Sequence, residues 1–487
     1  MALLAGVGRA TITPPVGIWL MGYAARDKGS VSRHDDLVAT ALVLSDGEVR
    51  VALVTCDLIF LHPVTVARIR TLVCERTGIP AENVMICCSH THSGPVPFAG
   101  EPSAADQDLR SSYVSNLVHL IVGAVDEANH GLQAAAWGVG HGRVAIGVNR
   151  RETLADGQLI LGENPQGATD DELIVLRIDG LGVPSALGVP SGPAKAGVLE
   201  RTGAPCRPLA VVANYACHAV CLSSNSYAIS ADWPGVMRRE AEAATGAMVG
   251  FVQGAGADIN PAGGPHDAFD SAQHLGGMVA EELCRVYDQV ALRREVRLRT
   301  ARKELHLPLG WVQEDRRVSS WQAAFAERAI AILQMPERDA MAYLDHRFPW
   351  TAEIELGDQE GVTGSRTWTI PSEVQGLRMS DPQHQARDVA LVGVAAEPFV
   401  EIGMEVKARS TAEQTELAEQ SKPAGHTMFA GYTNGSVGYL PTPDAYEKGG
   451  YEVDTSYIYY RLPAPLAPAS AGMVIGEMLS QIQGMAE

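Results

Sequence analysis

The chain has 487 residues, 46% of them hydrophobic and 20% charged, with a formal net charge of −19. This composition excludes a disordered chain and allows a large buried core. The acidity excludes a broad nucleic-acid surface and electrostatic docking on anionic lipid.

In chain order, Met1-Ala-Leu-Leu-Ala-Gly-Val-Gly8 is too short and lacks the basic start of a signal peptide, and no run of about 18 apolar residues could cross a bilayer. Val51–Asp57 reads as a buried strand ending in a carboxylate. Pro63–Arg76 has helical periodicity, and Gly78-Ile-Pro80 leads into a second apolar strand, Val84–Cys88, completing a β-α-β unit with parallel neighbours. Leu109–His130 is a long amphipathic helix. Strands follow at Pro208–Cys217, Met248–Gln253 and Val389–Ala396, with helices at Ser230–Thr245, Gln273–Tyr287 and Phe399–Ala408. Pro190–Pro208 reads as an excursion between strands, Gln313–Met335 as a helix ended by Pro336, and Trp350–Arg378 as a stretch able to hold strands. The eight cysteines include no CxxC pair and read as buried thiols of a reducing compartment, so the cytoplasm is the expected location.

The most informative segment is Asn83-Val-Met-Ile-Cys-Cys-Ser-His-Thr-His-Ser-Gly-Pro95. Side chains alternate along an extended backbone, so His90 and His92, two apart, are expected to point the same way. Gly94 and Pro95 stop the strand and leave both imidazoles at its C-terminal end, where open sheets place ligand sites. Paired imidazoles suit a divalent metal, zinc first. Polar residues also stand just beyond other apolar strands: Asp57, His218, Asp258 and Glu397. Their equivalent positions point to one shared cleft in a layered α/β domain. His90, His218 and Glu397 form a His-His-carboxylate set of the kind that holds a catalytic zinc and leaves a position for water. No HExxH helix is present.

With these residues in view, the chain resembles the neutral/alkaline non-lysosomal ceramidases, as a divergent member. The resemblance begins at Gly6-Val-Gly-Arg-Ala-Thr-Ile-Thr-Pro-Pro15 and is most specific at Ser89-His-Thr-His-Ser-Gly-Pro95. It extends through Asn149-Arg150, Asn214–Asp232, Phe251–Pro261, Glu397 and Gly438–Tyr446. It implies an α/β fold, a layered domain with two mixed β-sheets packed between α-helices and the metal site at strand C-terminal ends. It also implies a zinc-dependent hydrolase of linear amides. Carried over by position, His90, His218 and Glu397 resemble the metal ligands, completed by a tyrosine. Tyr439, in Gly438-Tyr-Leu-Pro-Thr-Pro443, is the best match, with Tyr432 and Tyr446 close by. His92 and Arg150 resemble the groups that face the water and the substrate.

The chain departs from the family in three respects. Asn260, in Gly256-Ala-Asp-Ile-Asn-Pro261, stands where the family carries a serine proposed as nucleophile. Neither a C-terminal immunoglobulin-like domain nor a secretion signal is evident, so residues 1–487 are expected to form one catalytic domain. The expected activity is amide hydrolysis by metal-activated water on a small-molecule substrate, without membrane insertion or nucleic acid, in a chain able to form homo-oligomers. Two alternatives are an esterase or lactonase using the same zinc site and a non-catalytic metal- or ligand-binding homologue, the latter motivated by Asn260.

Overall fold

The computed structural model describes residues 1–97, 104–181, 197–198, 205–265, 268–310, 321–347, 355–358, 366–381, 388–416 and 425–486. Its layering follows from the period-two alternation of the strands. In Val38–Ser45, Ala39, Ala41 and Val43 enter one apolar cluster while Leu42 and Leu44 enter another. Arg50–Cys56 divides in the same way, with Ala52, Val54 and Cys56 on one side and Val51 and Leu53 on the other. Both faces are covered, which is why these strands are apolar throughout instead of alternating with polar residues.

Among the described residues the larger sheet has nine strands. Its order is Gly197–Val198, Pro205–Tyr215, Glu172–Gly180, Gln133–Arg143, Leu4–Thr11, Val38–Ser45, Arg50–Cys56 and Val84–Cys88, with Met248–Gln253 also paired to Pro205–Tyr215. Arg50–Cys56 is parallel to Val84–Cys88, as the β-α-β pattern requires, and Pro205–Tyr215 is parallel to Met248–Gln253. The helix between the first pair, Pro63–Thr77, has Pro63 in its first turn and the His62 side chain accepting from the Val64 amide. It ends at Gly78 with φ 71°, and each of these is a local start or stop signal. The second sheet runs Arg297–Pro308, Arg366–Ser380, Val389–Val394 and His426–Ala430, with Glu355–Asp358 beside Arg366–Ser380 and the last pair parallel.

The two mixed sheets stack face to face. Leu42, Leu53, Met85 and Val212 of the larger sheet share one apolar cluster with Leu298, Leu377, Leu391 and Met428 of the smaller. Helices cover the outer faces: Pro63–Thr77 and Ala104–His130 on one part of the larger sheet, Asp232–Thr245 and Asp270–Gln289 on the other, and Val400–Glu416 with Ala469–Gly484 on the smaller sheet. Helix Ala104–His130 lies so close to strand Leu4–Thr11 that a Cβ on Gly6 would sit 2.0 Å from the Ala128 carbonyl oxygen, and one on Gly8 2.1 Å from that of Ala124. The two glycines of Gly6-Val-Gly8 are therefore a packing requirement.

Three segments are described only in part. After Pro336 the chain enters a second helix, Glu337–Arg347; the helix before it is described as Trp321–Leu333, and the remainder of Gln313–Met335 toward residue 313 lies outside the described residues. Of Pro190–Pro208 only residues 197–198 and 205–208 are described, both in strands, and Trp350–Arg378 holds strands at Glu355–Asp358 and Arg366–Ser380. Among the described residues no helix is long and apolar enough to cross a membrane.

Candidate metal centre

The centre is assembled from turns that follow the strands named above. Strand Val84–Cys88 ends before the histidines. The Ser89 amide donates to Cys56 O and the His90 amide to Leu58 O, both at 2.9 Å, and His90 adopts φ 62°. Thr91 then bridges Ala219, and the His92 amide donates to Ala219 O at 3.2 Å. The imidazoles do converge, with Nε2 atoms 3.2 Å apart and ring centroids 4.8 Å apart at 78°. A left-handed residue brings them together, and the expected alternation along an extended strand does not apply. Gly22 packs its backbone on the His92 ring: at φ 108°, a Cβ there would meet His92 Cγ at 2.4 Å.

Each remaining group is pinned by a neighbour's backbone. His218 follows Pro205–Tyr215 and donates its amide to Ile259 O at 2.9 Å, while the Glu397 amide, beyond Val389–Val394, donates to Gly438 O at 2.9 Å. Tyr432, with φ 51°, crosses between the sheets; its amide donates to Ala396 O and its carbonyl accepts from the Cys88 amide. Such mutual bonding fixes the backbone from which these side chains project.

Hydrogen bonding also sets the tautomers. His90 Nδ1 lies 2.9 Å from Ile59 O and His218 Nδ1 2.5 Å from Gly256 O. A carbonyl only accepts, so each Nδ1 carries the proton and each Nε2 presents a lone pair. His90 Nε2 is 3.4 Å and His218 Nε2 3.9 Å from the same oxygen, Glu397 Oε2. The other carboxylate oxygen, Oε1, accepts from the Tyr460 hydroxyl. His218 Nε2 and Glu397 Oε2 are buried without a hydrogen-bond partner among the described residues. Orphaned buried polar atoms are costly, and two aimed at one point fit a bound cation. Zinc bonds of about 2.0–2.2 Å in a tetrahedron separate ligand atoms by about 3.3–3.6 Å, close to the spacings found here. His90, His92 and His218 also form a group able to hold a metal, their ligand atoms all within 4.8 Å of one another. The residues present therefore fit a divalent metal.

Burial holds the His92 and His218 imidazoles well below the usual histidine range, with neighbouring histidines and arginines adding to the effect. Both are consequently neutral, the form that binds metal.

The three candidate tyrosines part company. The Tyr446 hydroxyl donates to Leu466 O. Tyr439 Oη accepts from Arg150 Nη2 at 3.1 Å. Tyr432 stacks on His90, with centroids 3.9 Å apart at 24°, and its fully buried hydroxyl has no partner among the described residues. Burial, with Glu397 next, keeps this phenol well above its ordinary pKa.

Arg150 is 5% exposed and projects from strand Gly147–Thr153, whose neighbour Ile259–Pro261 carries Asn260. Its Nη1 is 3.5 Å from Asn260 Oδ1, and its Nε donates to Glu452 Oε1 at 2.9 Å. Burial opposes the Arg150 charge, but Tyr439 and Glu452 outweigh it and raise the pKa above the ordinary value. Of the polar residues at strand ends, Asp57 accepts from Arg238 and from the Val38 amide, and Asp258 caps helix Val400–Glu416 at Val400 N while holding Asn149. Those two brace the scaffold. Glu452 and Tyr460 carry no sequence signal of a strand end because both lie on short helices, the α-helical Tyr451–Asp454 and the 3-10 helical Ser456–Tyr460. The aromatic run around them was the one available signal.

Residues 3–177 match the family model described as neutral/alkaline non-lysosomal ceramidase, N-terminal. The fold is similar to that of a ceramidase complexed with C2, with a TM-score of 0.66 at 17% identity, covering 100% of this chain and 75% of that one. It is also similar to neutral ceramidase from Pseudomonas aeruginosa, with a TM-score of 0.64 at 18% identity, covering 99% and 74%. Residues 3–177 thus resemble the N-terminal region of the neutral/alkaline non-lysosomal ceramidases, and the fold as a whole is similar to that of neutral ceramidases.

Proposed function

We propose that the chain is a zinc-dependent hydrolase of a linear N-acyl amide, with His90, His218 and Glu397 as metal ligands. The observation that carries this is the pair of atoms buried without a partner among the described residues, His218 Nε2 and Glu397 Oε2, beside a His90 Nε2 that its tautomer leaves unprotonated and that lies 3.2 Å from His92 Nε2. Tyr432 takes the place of Tyr439 as the additional ligand in this reading, with water still able to join the set by expanded coordination, because Arg150 already engages the Tyr439 hydroxyl. The metal supplies Lewis-acid polarisation of a carbonyl and a lowered pKa for water.

The chain's own residues do the rest. Arg150 keeps its charge and directs its terminal N–H groups, beside Tyr439 and Asn260, at the oxygen on which negative charge develops. His92, at the edge of the imidazole cluster, takes a proton from the attacking water and returns it to the leaving nitrogen. Asn260 has an amide where a serine nucleophile would stand, so water attacks directly and no acyl-enzyme forms. The test is metal analysis of purified protein together with turnover of a panel of N-acyl amines, N-acyl amino acids and a short-chain ceramide. Stoichiometric metal with chelator-sensitive amide cleavage supports the reading. Absence of metal, or turnover that survives full metal removal, refutes it.

A further inference from the structure

Glu452 is 1% exposed and divides its carboxylate between two arginines. Oε1 accepts from Arg150 Nε at 2.9 Å and Oε2 from Arg151 Nη1 at 2.5 Å. A carboxylate facing one arginine usually takes two parallel N–H bonds from its fork. Here Arg151 draws off the second oxygen, itself fixed through Nη2 to Gly449 O at 2.7 Å, so Arg150 gives up only its side-facing Nε. Both terminal nitrogens of Arg150 remain on the side of Tyr439 and Asn260. The backbone beneath is braced, since the Ser456 hydroxyl donates to Glu452 O at 2.9 Å.

We infer that Glu452 is the positioning residue of the active site, holding the Arg150 guanidinium edge-on so that its terminal N–H groups point at the substrate oxygen. The inference rests on the hydrolase reading above. A carboxylate that only neutralised buried arginines would serve stability and leave the reaction alone. The two roles separate in a double-mutant cycle with Arg150.

The experiment compares wild type, Glu452→Gln, Arg150→Ala and the double variant for kcat, KM, bound zinc and thermal midpoint, using the best substrate of the panel. Glu452→Gln is expected to lower kcat by about 10- to 100-fold, less than outright loss of a transition-state donor, with KM and zinc content nearly unchanged. In the Arg150→Ala background the same change should have no further effect on kcat. A full-sized effect in that background, or wild-type kcat in Glu452→Gln, overturns the inference. If Glu452→Gln is recovered unfolded, Glu452→Asp, which keeps the charge but withdraws it by one methylene, takes its place with the same criteria. A crystal structure of the folded variant decides independently of turnover. The Arg150 guanidinium should leave Tyr439 Oη, and finding it still in place overturns the inference. Inactive wild-type protein defeats the hydrolase reading alone, because the crystallographic result still decides for or against Glu452.

Discussion

Replacing Tyr432 with phenylalanine removes one oxygen and should change the protein in opposite directions with and without metal. The ring that stacks on His90 at 3.9 Å is retained, so packing is nearly unaffected. The hydroxyl is fully buried without a partner among the described residues, a condition that costs about 1–3 kcal/mol when no metal is bound. Its removal should therefore stabilise the metal-free form by that amount. With unfolding entropy of about 2 cal/mol/K per residue, a chain of 487 residues shifts its midpoint by about one degree per kcal/mol, so a rise of about 1–3 °C is expected. With zinc present the sign reverses, because the variant lacks a ligand oxygen and zinc affinity should fall by about 10- to 1000-fold. Calorimetry of metal-free and zinc-loaded protein, with a zinc titration of each, reads both effects. Tyr439→Phe is the control: its hydroxyl serves Arg150, so activity should fall while zinc affinity holds. A Tyr432→Phe protein that binds zinc as tightly as wild type, with no gain in metal-free stability, would refute the reasoning.

Three further outcomes are expected. Gly22→Ala, which drives a Cβ to 2.4 Å from His92 Cγ at φ 108°, should lower kcat at least about 100-fold while bound zinc, measured by elemental analysis, is retained. Asn260→Ala should lower kcat by about 10- to 1000-fold without removing metal, and quenched turnover of the parent should show no acyl adduct by mass spectrometry. Burial, with His141 adding, holds the His426 pKa down at about 4, so the unfolded chain takes up a proton below about pH 6.5 that the folded chain refuses. Stability should thus fall by up to about 3 kcal/mol between those pH values, and urea midpoints of His426→Asn should lose that part of the acid sensitivity.

Much of the scaffold was legible because strands covered on both faces are apolar throughout. Arg50–Cys56, Val84–Cys88, Met248–Gln253 and Val389–Val394 all lie where their apolar runs are. Strands such as Gln133–Arg143 escaped, since Gly138, Gly140 and Gly142 interrupt the pattern where helix Asp270–Gln289 and the residues after it pack close. His90, His218 and Glu397 were visible as polar residues beyond apolar strands, and the fold brings all three together. Asp57 carried the same signal yet pairs with Arg238, so position alone could not separate a ligand from a brace. Backbone conformation was the other blind spot. The convergence of His90 with His92 depends on φ 62° at His90, and the approach of Tyr432 on φ 51°, values that no residue pattern encodes for histidine or tyrosine. Glu452 and Tyr460 act by satisfying Arg150 and Glu397 across more than sixty residues of chain, a pairing that only the fold reveals.

The central claim is that one metal ion is held by His90, His218 and Glu397. The most direct measurement is anomalous diffraction at the zinc edge from crystals of the zinc-loaded protein. The account predicts a single strong peak per chain within bonding distance of His90 Nε2, His218 Nε2 and Glu397 Oε2, absent in His218→Ala crystals grown the same way. A zinc-loaded crystal with no peak among these three atoms, or a peak that persists there in His218→Ala, would contradict it.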